Sequence, residues 1–324
     1  MPTYTSQTVI EIARGIKAFL RLDIGLVRGE VPEPKTLART REASRDRARE
    51  GRPGDPGQAR ELLLKKDRQL ERLRRRLSEK TSGGRDRELS YEALYEARIQ
   101  ATSADVAIGG GERSFDTVGG LEMAVLKAEG LKPTDTLVDL GCGTGRLAVH
   151  AIPALSGGRY IGIDISQSML DTARRRVEEM VPDPACQVSW IHQTTPVFEL
   201  DARSVDVVCA FSVVNHVEHE DAYLYFKEAL RVVRPGGRFV FSCLPIDTMR
   251  GREVFLKSAE VDLQTRYTRI RHVATSKDFI EEVARLAGWT PLHWYDGDEK
   301  NIRLPEGDEL YEFNQSICVL EAPG

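Results

Sequence analysis

The hydrophobic spacing along this chain changes character near residue 85. Over residues 5–28, Val9, Ile12, Ile16, Phe19 and Leu20 fall at i, i+3, i+4 and i+7 spacing. That pattern predicts one amphipathic helix, with Arg14, Lys17, Arg21 and Arg28 supplying positive charge. Residues 29–58 carry Pro, Gly and charge with little to bury, which predicts a flexible linker. "ARELLLKKDRQLERLRRRLSEK" (59–80) then reads as a second helix, with Leu63, Leu70, Leu73 and Leu77 near heptad spacing. It covers about two heptads, where a secure coiled coil needs about three to four. "TSGG" (81–84) closes it.

Beyond residue 85, short apolar runs alternate with helical patterns, the texture of βα units and a mostly parallel sheet. The predicted strands are "TLVDL" (136–140), "YIGID" (160–164), "QVSWI" (187–191), "VDVVCAF" (205–211), "RFVFSCL" (238–244), "PLHWYD" (291–296) and "SICVLEA" (316–322). Helices are predicted over 145–153, 167–180, 220–233 and 276–288, the last with Ser276 as N-cap and Gly288 as stop.

Composition narrows the class. The 324 residues are 41% hydrophobic and 30% charged, which suits a soluble chain with a core. No apolar run approaches the ~18–20 residues of a membrane-spanning helix. The first apolar stretch is broken by charges and does not read as a secretory signal. The five cysteines (Cys142, Cys186, Cys209, Cys243, Cys318) form no C-x-x-C pair, which predicts free thiols, no zinc site and a cytoplasmic setting. Charge is uneven. Residues 1–88 hold 22 Lys and Arg against 14 Asp and Glu, a net +8; the remainder holds 24 against 36, a net −12. The expectation is a basic helical extension (1–88) joined to an acidic catalytic domain (89–324).

The chemistry centres on "VDLGCGTGRLA" (138–148). A strand runs into Gly141, Gly143 and Gly145 at alternate positions and then into a helix expected to begin near Gly145. Glycine lets backbone turn sharply and approach a ligand closely, and a helix N-terminus offers unpaired N–H groups to an anion. The next strand ends in Asp164, 19 residues after Gly145, where a carboxylate can accept from both hydroxyls of a ribose. A nucleoside-containing cofactor follows. Dinucleotide enzymes typically carry G-x-G-x-x-G; this chain has G-x-G-x-G, with Asp139 two residues before the first glycine.

"DLGCGTG" resembles motif I of the class I S-adenosylmethionine-dependent methyltransferases. "YIGIDIS" resembles the family's ribose-binding strand, "SVDVVCAFSVVNHV" its fourth strand and substrate-facing loop, and "EALRVVRPGGRFVFS" its Pro-Gly-Gly turn and fifth strand. "SICVLEA" resembles the seventh strand, which in that family runs antiparallel beside the fifth. The resemblance covers roughly residues 90–324. It extends more narrowly to bacterial members associated with sugar and surface-glycan assembly. It implies an α/β, seven-stranded Rossmann-like sheet with its last strand antiparallel, here with an N-terminal helical, coiled-coil-like extension. It also implies that Asp139, Gly141, Cys142, Gly143 and Gly145 shape the pocket for the methionine end of S-adenosyl-L-methionine, with Cys142 as a small filler. Asp164 would hold the ribose, Ile165 and Met169 would flank the adenine, and Phe211 is a further cofactor-binding candidate. An acid usually contacts the adenine amine after strand three. "IHQTTP" stands there, so Gln193 or Thr194 takes that role, and an amide oxygen can accept the same bond.

Methyl transfer asks mainly for positioning. A hydroxyl nucleophile also needs its proton removed, and His216 in "SVVNHVEHED" is the candidate base; a packing or loop-orienting role is its structural alternative. His192 reads as structural. Glu220 and Asp221 begin a helix, where acids suit the dipole, so the cluster at 216–221 is not read as a metal site. Neither Asn-Pro-Pro-Tyr nor Asp-Pro-Pro-Tyr follows strand four, and the body is acidic, so a nucleic-acid substrate is not expected. Acceptor recognition falls to residues 91–116, 245–276 and 297–314, rich in Tyr, Arg, Asp and Glu. The expected reaction is O-methylation of a sugar, glycan or small metabolite, with N-methylation of an amine or protein side chain as the alternative. A reading of another class gives the biology to residues 1–88. There the helix over 5–28 would touch an anionic membrane surface peripherally, or the leucine-rich helix would bind a partner or make a homo-oligomer.

Overall fold

The computed structural model describes residues 90–101, 112–267, 269–305 and 307–324. The expected helix over 5–28, the linker over 29–58, the leucine-rich helix and the boundary at 88/89 all lie outside the described residues.

Two helices precede the sheet, α1 (Tyr91–Ala101) and α2 (Glu112–Ala128). Then come β1 (Thr136–Leu140), α3 (Ala148–Ala154), β2 (Arg159–Asp164), α4 (Gln167–Met180), β3 (Gln187–His192) and β4 (Val205–Ala210). A short 3-10 turn (Val214–His216) leads to α5 (His219–Val232) and β5 (Val233–Pro245). The C-terminal part adds α6 (Met249–Ala259), α7 (Leu263–Tyr267), β6 (Ala274–Thr275), α8 (Lys277–Ala287), β7 (Thr290–Tyr295), β8 (Ile302–Arg303), β9 (Leu310–Tyr311) and β10 (Ser316–Glu321).

The sheet runs β3-β2-β1-β4-β5-β10-β7. Strands β1 to β5 pair in parallel, and β10 lies antiparallel between β5 and β7. Each expected strand is present within a residue or two at its ends, except β5. That strand begins at Val233 because its pairing with β4 jumps from Val205↔Val233 to Val207↔Arg238. The Pro-Gly-Gly segment is therefore a turn that loops out of a continuous strand, with Gly236 at φ 75°. Two departures from the sequence reading stand out. The sheet has eight strands, because two-residue β6 pairs with the end of β5. A separate hairpin, β8-β9, lies in the 297–314 segment, for which the sequence reading drew no strand.

Helices cover both faces, so the central strands read as continuous apolar runs. On one face Val138, Ile161, Val208 and Phe241 pack under α5 and α8; on the other Leu137, Tyr160, Val207 and Val240 pack under α2 and α3. Phe226 of α5 meets Phe239 and Phe241 at ring-centroid distances of 5.4 and 4.8 Å. The Trp289 indole N–H donates to the Phe226 carbonyl at 2.8 Å. Removing such a buried aromatic ring costs about 3–5 kcal/mol, so this cluster anchors α5 and, with it, the turn that carries His216. Ser276 caps α8 through its hydroxyl, and Gly288 ends that helix at φ 103°, as the sequence predicts.

Strand order reverses between β1 and β4. Ligands of open α/β sheets sit at that switch point, beyond the carboxyl ends of the strands, where the glycine loop lies.

Candidate active site

The loop after β1 is pinned before any ligand is considered. The N–H groups of Gly141 and Cys142 both donate to the Ile163 carbonyl, at 2.7 and 3.1 Å. Gly141 sits at φ 71°, and a Cβ there would stand 2.3 Å from Val213 Cγ2. Only glycine fits that turn and that approach. Gly145, at φ 85°, serves a different contact: its Cβ would come within 3.3 Å of Ala173 in α4. It lets a helix pack closely and does not line the cleft. Its left-handed backbone also delays α3, which begins at Ala148 and not at the expected 145.

Beside the loop lies a cleft, open at its mouth. Of the residues the sequence singled out, Asp139, Gly141, Cys142, Gly143, Asp164, Ile165, Met169, Gln193, Phe211 and His216 line it. Thr194 does not; it points into solvent, and Gln193 alone of the pair reaches the cleft. Sequence reasoning missed Glu122, Arg146, Tyr91, Tyr95 and Tyr225. The last three come from helices that touch the site only through the tertiary fold.

Asp164 is 8% exposed. One carboxylate oxygen accepts from Gly143 N at 2.8 Å and the other from Ser166 N at 2.9 Å. Each oxygen keeps a second lone pair, so the group can still accept two more hydrogen bonds from the cleft. Burial pushes its carboxyl above the usual carboxylate range, and these backbone donors pull it back. Ser166 caps α4 by accepting from Met169 N at 3.1 Å. His192 donates to the Ile165 carbonyl at 2.9 Å, so it holds the segment between those residues, a structural role. Gln193 donates its amide N–H to the Thr195 carbonyl at 2.8 Å, which leaves Oε1 buried and without a partner. An orphaned acceptor costs about 1–3 kcal/mol unless a donor arrives.

Asp139 lies deeper. The Tyr160 hydroxyl donates to it at 2.6 Å, and burial, aided by nearby Glu122, pushes its carboxyl up to about 7. Glu122 is 1% exposed and paired with Arg146, whose guanidinium donates at 2.5 and 3.4 Å. Cys142 is buried and its thiol is pushed well upward by burial and by Asp164, so it is filler and no nucleophile.

A second, wider cavity adjoins the first, and the two share Tyr95, Arg146, Ser212 and His216. Its remaining wall includes Arg98, Met249, Arg250, Glu253, His272, Asp298 and Glu312. These come from all three segments that the sequence assigned to acceptor recognition. Ser212, at the end of β4, holds a left-handed backbone at φ 59°. Its N–H donates to Ser242 Oγ at 2.7 Å, Ser242 donates to Gln315 at 2.8 Å, and Gln315 donates back to Ser212 Oγ at 2.9 Å. That closed ring offsets the cost of a strained residue at the junction.

His216 stands at the same junction. Its Nδ1 lies 2.9 Å from the Arg271 carbonyl. A carbonyl only accepts, so Nδ1 carries the proton and Nε2 the lone pair. Burial first, then His272, pulls its pKa down to about 4. The ring is thus neutral at pH 7. His219 instead packs on the Phe279 ring at 4.7 Å, Asp221 accepts from the Tyr91 hydroxyl at 2.6 Å, and no cluster of three or more metal-ligating side chains occurs among the described residues. No helix among them is long and apolar enough to cross a membrane.

Comparison with known proteins agrees with this geometry. Residues 137–237 match the methyltransferase domain family. An uncharacterised 37.1 kDa protein of transposon TN4556 from Streptomyces fradiae is 34% identical over 182 residues, 56% of this chain and 45% of that protein. A 2-phytyl-1,4-naphtoquinone methyltransferase from Trichormus variabilis is 30% identical over 118 residues, 36% of this chain and 49% of that one. A demethylmenaquinone methyltransferase from Clavibacter sepedonicus is 32% identical over 134 residues, 40% and 51% of the two chains. The chain spans about half the length of these curated relatives. In fold it resembles the magnesium protoporphyrin IX methyltransferase of Synechocystis solved with bound S-adenosylmethionine, at TM-score 0.50 and 19% identity over 73% of this chain and 99% of that one. Residues 137–237, which carry the glycine loop and Asp164, are thus similar in sequence to the methyltransferase domain family.

Proposed function

We propose that this protein transfers a methyl group from S-adenosylmethionine to a hydroxyl of a sugar, glycan or other small metabolite. The observation that carries the reading is the junction of two cavities. One offers a nucleoside its glycine loop and the spare lone pairs of Asp164; the other is walled by the acceptor segments; Ser212 and His216 stand between them.

The cleft suits S-adenosylmethionine in its donor set. Asp164 would accept from the ribose hydroxyls, and the orphaned Oε1 of Gln193 would accept from the adenine amine. Ile165, Met169 and Phe211 supply apolar walls. Asp139 and the Glu122–Arg146 pair, which also line the cleft, offer charges to the amino-acid part of the cofactor. Bound there, the cofactor supplies an electrophilic methyl on a sulfonium. The chain's own task is to orient the nucleophile. Neutral His216 presents Nε2 to accept the hydroxyl proton, and its low pKa makes it a weak base, so positioning carries more of the rate than proton transfer.

Relatives named as naphthoquinone and menaquinone methyltransferases bring an oxygen-bearing ring within the small-metabolite class. Attachment to an anionic membrane or self-association through residues 1–88 remains part of the proposal. The test is incubation of the full chain with methyl-labelled S-adenosylmethionine and a panel of polyols, phenols and amines, read by mass spectrometry. Label on oxygen supports the reading, label on nitrogen shifts it to N-methylation, and no label on any acceptor contradicts it.

A further inference from the structure

Six of the eleven large apolar side chains that stand exposed among the described residues fall between 246 and 267: Ile246, Met249, Phe255, Leu256, Leu263 and Tyr267. α6 packs on the domain through Gly251 and Val254. At 3.6 residues per turn, Met249 and Leu256 stand about 170° from the middle of that buried face. They are 73% and 56% exposed, so they pack against nothing inside the domain. α6 is apolar on two opposite faces, and only one of them is covered. α7 buries none of its five residues; its Leu263 is 65% exposed, with exposed Tyr267 one turn further on. Apolar groups gathered on an outer face mark a surface that meets something else.

Charge narrows the partner. Residues 249–271 hold six Lys and Arg against three Asp and Glu, a net +3, inside a domain (89–324) whose net is −12. Arg252 is exposed beside Met249 and Leu256. Arg250 and Lys257 stand on the flank of the same helix, where Glu253 accepts from them at 2.7 and 2.6 Å. Apolar side chains rimmed by Arg and Lys fit an anionic lipid surface. Other occupants lack the opposite charge. A second copy docked face to face would set basic against basic, and residues 1–88 are themselves basic, a net +8. Location separates a bilayer from an acidic protein. Met249 and Arg250 also line the acceptor cavity. A protein seated on Met249 would close that side of the cavity, whereas a bilayer leaves it open to molecules dissolved in the lipid.

We propose that the outer face of α6 and α7 docks on an anionic bilayer, with Met249, Leu256 and Leu263 entering the acyl boundary and Arg252 meeting the headgroup phosphates. The acceptor cavity then opens at the lipid surface. This face is distinct from residues 5–28, and its docking does not depend on the methyl-transfer reading.

Sedimentation of the full chain with vesicles tests it. Wild type should sediment with phosphatidylcholine vesicles that contain phosphatidylglycerol and far less with phosphatidylcholine alone. Leu256→Glu combined with Leu263→Glu should weaken that binding by about tenfold or more, since both leucines lose their burial. Arg252→Gln should weaken it about fivefold, and only on the anionic vesicles. An unchanged thermal melt checks folding, and Leu256→Ser with Leu263→Ser serves if the glutamate variant melts early. Arg14→Glu with Arg21→Glu is the control for residues 5–28. Undiminished binding of both leucine variants would overturn the proposal, and loss in the Arg14 variant alone would move the membrane contact to residues 5–28. Absence of wild-type sedimentation would overturn it too; a dimer that the leucine variants reduce to monomer would then assign the face to a second copy. None of these readouts uses methyl transfer, so that reading stands or falls separately.

Discussion

The cleft under the glycine loop takes its glycine-loop, Asp164 and Phe211 walls from strand ends, whereas the wall peculiar to the cavity beside it comes from the segments between strands. In the first, Gly141 follows β1, Asp164 closes β2 and Phe211 follows β4. Their positions follow from parallel pairing and one left-handed turn. In the second, Tyr95 comes from α1, Arg250 and Glu253 from α6, His272 from the stretch before β6, and Glu312 from beyond β9. Nothing local fixes those side chains; the packed domain does. Cofactor binding should therefore be broken by backbone changes, and acceptor choice by side-chain changes.

Among backbone changes the largest effect should come from Gly141→Ala. A left-handed residue other than glycine costs about 1–2 kcal/mol, and its Cβ would also meet Val213 at 2.3 Å. Affinity for S-adenosylmethionine should fall by about 100-fold, the equivalent of ~2.8 kcal/mol. Val213→Ala added to it should recover part of the loss in a calorimetric titration, because the collision is with that side chain. Full affinity in the single variant would mean that the loop does not approach its ligand.

His216→Gln should behave in the opposite way. It should leave the dissociation constant for S-adenosylhomocysteine within about threefold but lower turnover by about 100-fold, the low end of the range for a general base. Steady-state kinetics on an identified acceptor checks the split; a change in cofactor affinity alone would move His216 to the other cavity.

Gln193→Leu removes one neutral hydrogen bond, worth about 0.5–1.5 kcal/mol. Cofactor affinity should fall about fivefold while the acceptor KM stays fixed, which competition binding with adenosine analogues would show.

The smallest effect lies in pH. His216 has a folded pKa of about 4 against an ordinary 6.5. Between those values the unfolded chain binds more protons at this site, so the His216 contribution is full above pH 6.5 and is lost as pH falls toward 4. Asp139, pushed up to about 7, acts with the opposite sign between 3.8 and 7. Denaturant melts of wild type minus His216→Gln should isolate the first trend as a stability difference that shrinks as pH falls.

The legibility of this molecule follows the same division. β1 to β5, the strand β10, the caps of α8 and the glycine loop are visible because each is a local pattern with a local cause, whereas the antiparallel direction of β10 came from the family resemblance alone. The start of α3 was misplaced because the left-handed backbone at Gly145 spends that glycine on packing against Ala173. β6 escaped notice because two residues carry no periodicity, and β8-β9 because its strands are equally short. Of the acceptor wall only the three segments and His216 were readable. Asn215 and His272 meet at 3.3 Å but are 57 residues apart in sequence, and nothing in either neighbourhood announces the other. Ser212 gave one weak signal, a small polar residue where β4 ends.

The central claim is that the glycine-loop cleft binds S-adenosylmethionine through Asp164. Calorimetric titration of the full chain with S-adenosylmethionine and, separately, NAD, on wild type and Asp164→Ala, tests it most directly. Two charge-assisted hydrogen bonds at about 1.5–3 kcal/mol each predict that the variant loses at least about 100-fold in affinity for S-adenosylmethionine, with no binding of NAD by either protein. Equal affinity in wild type and variant, or binding of NAD in place of S-adenosylmethionine, would contradict the account.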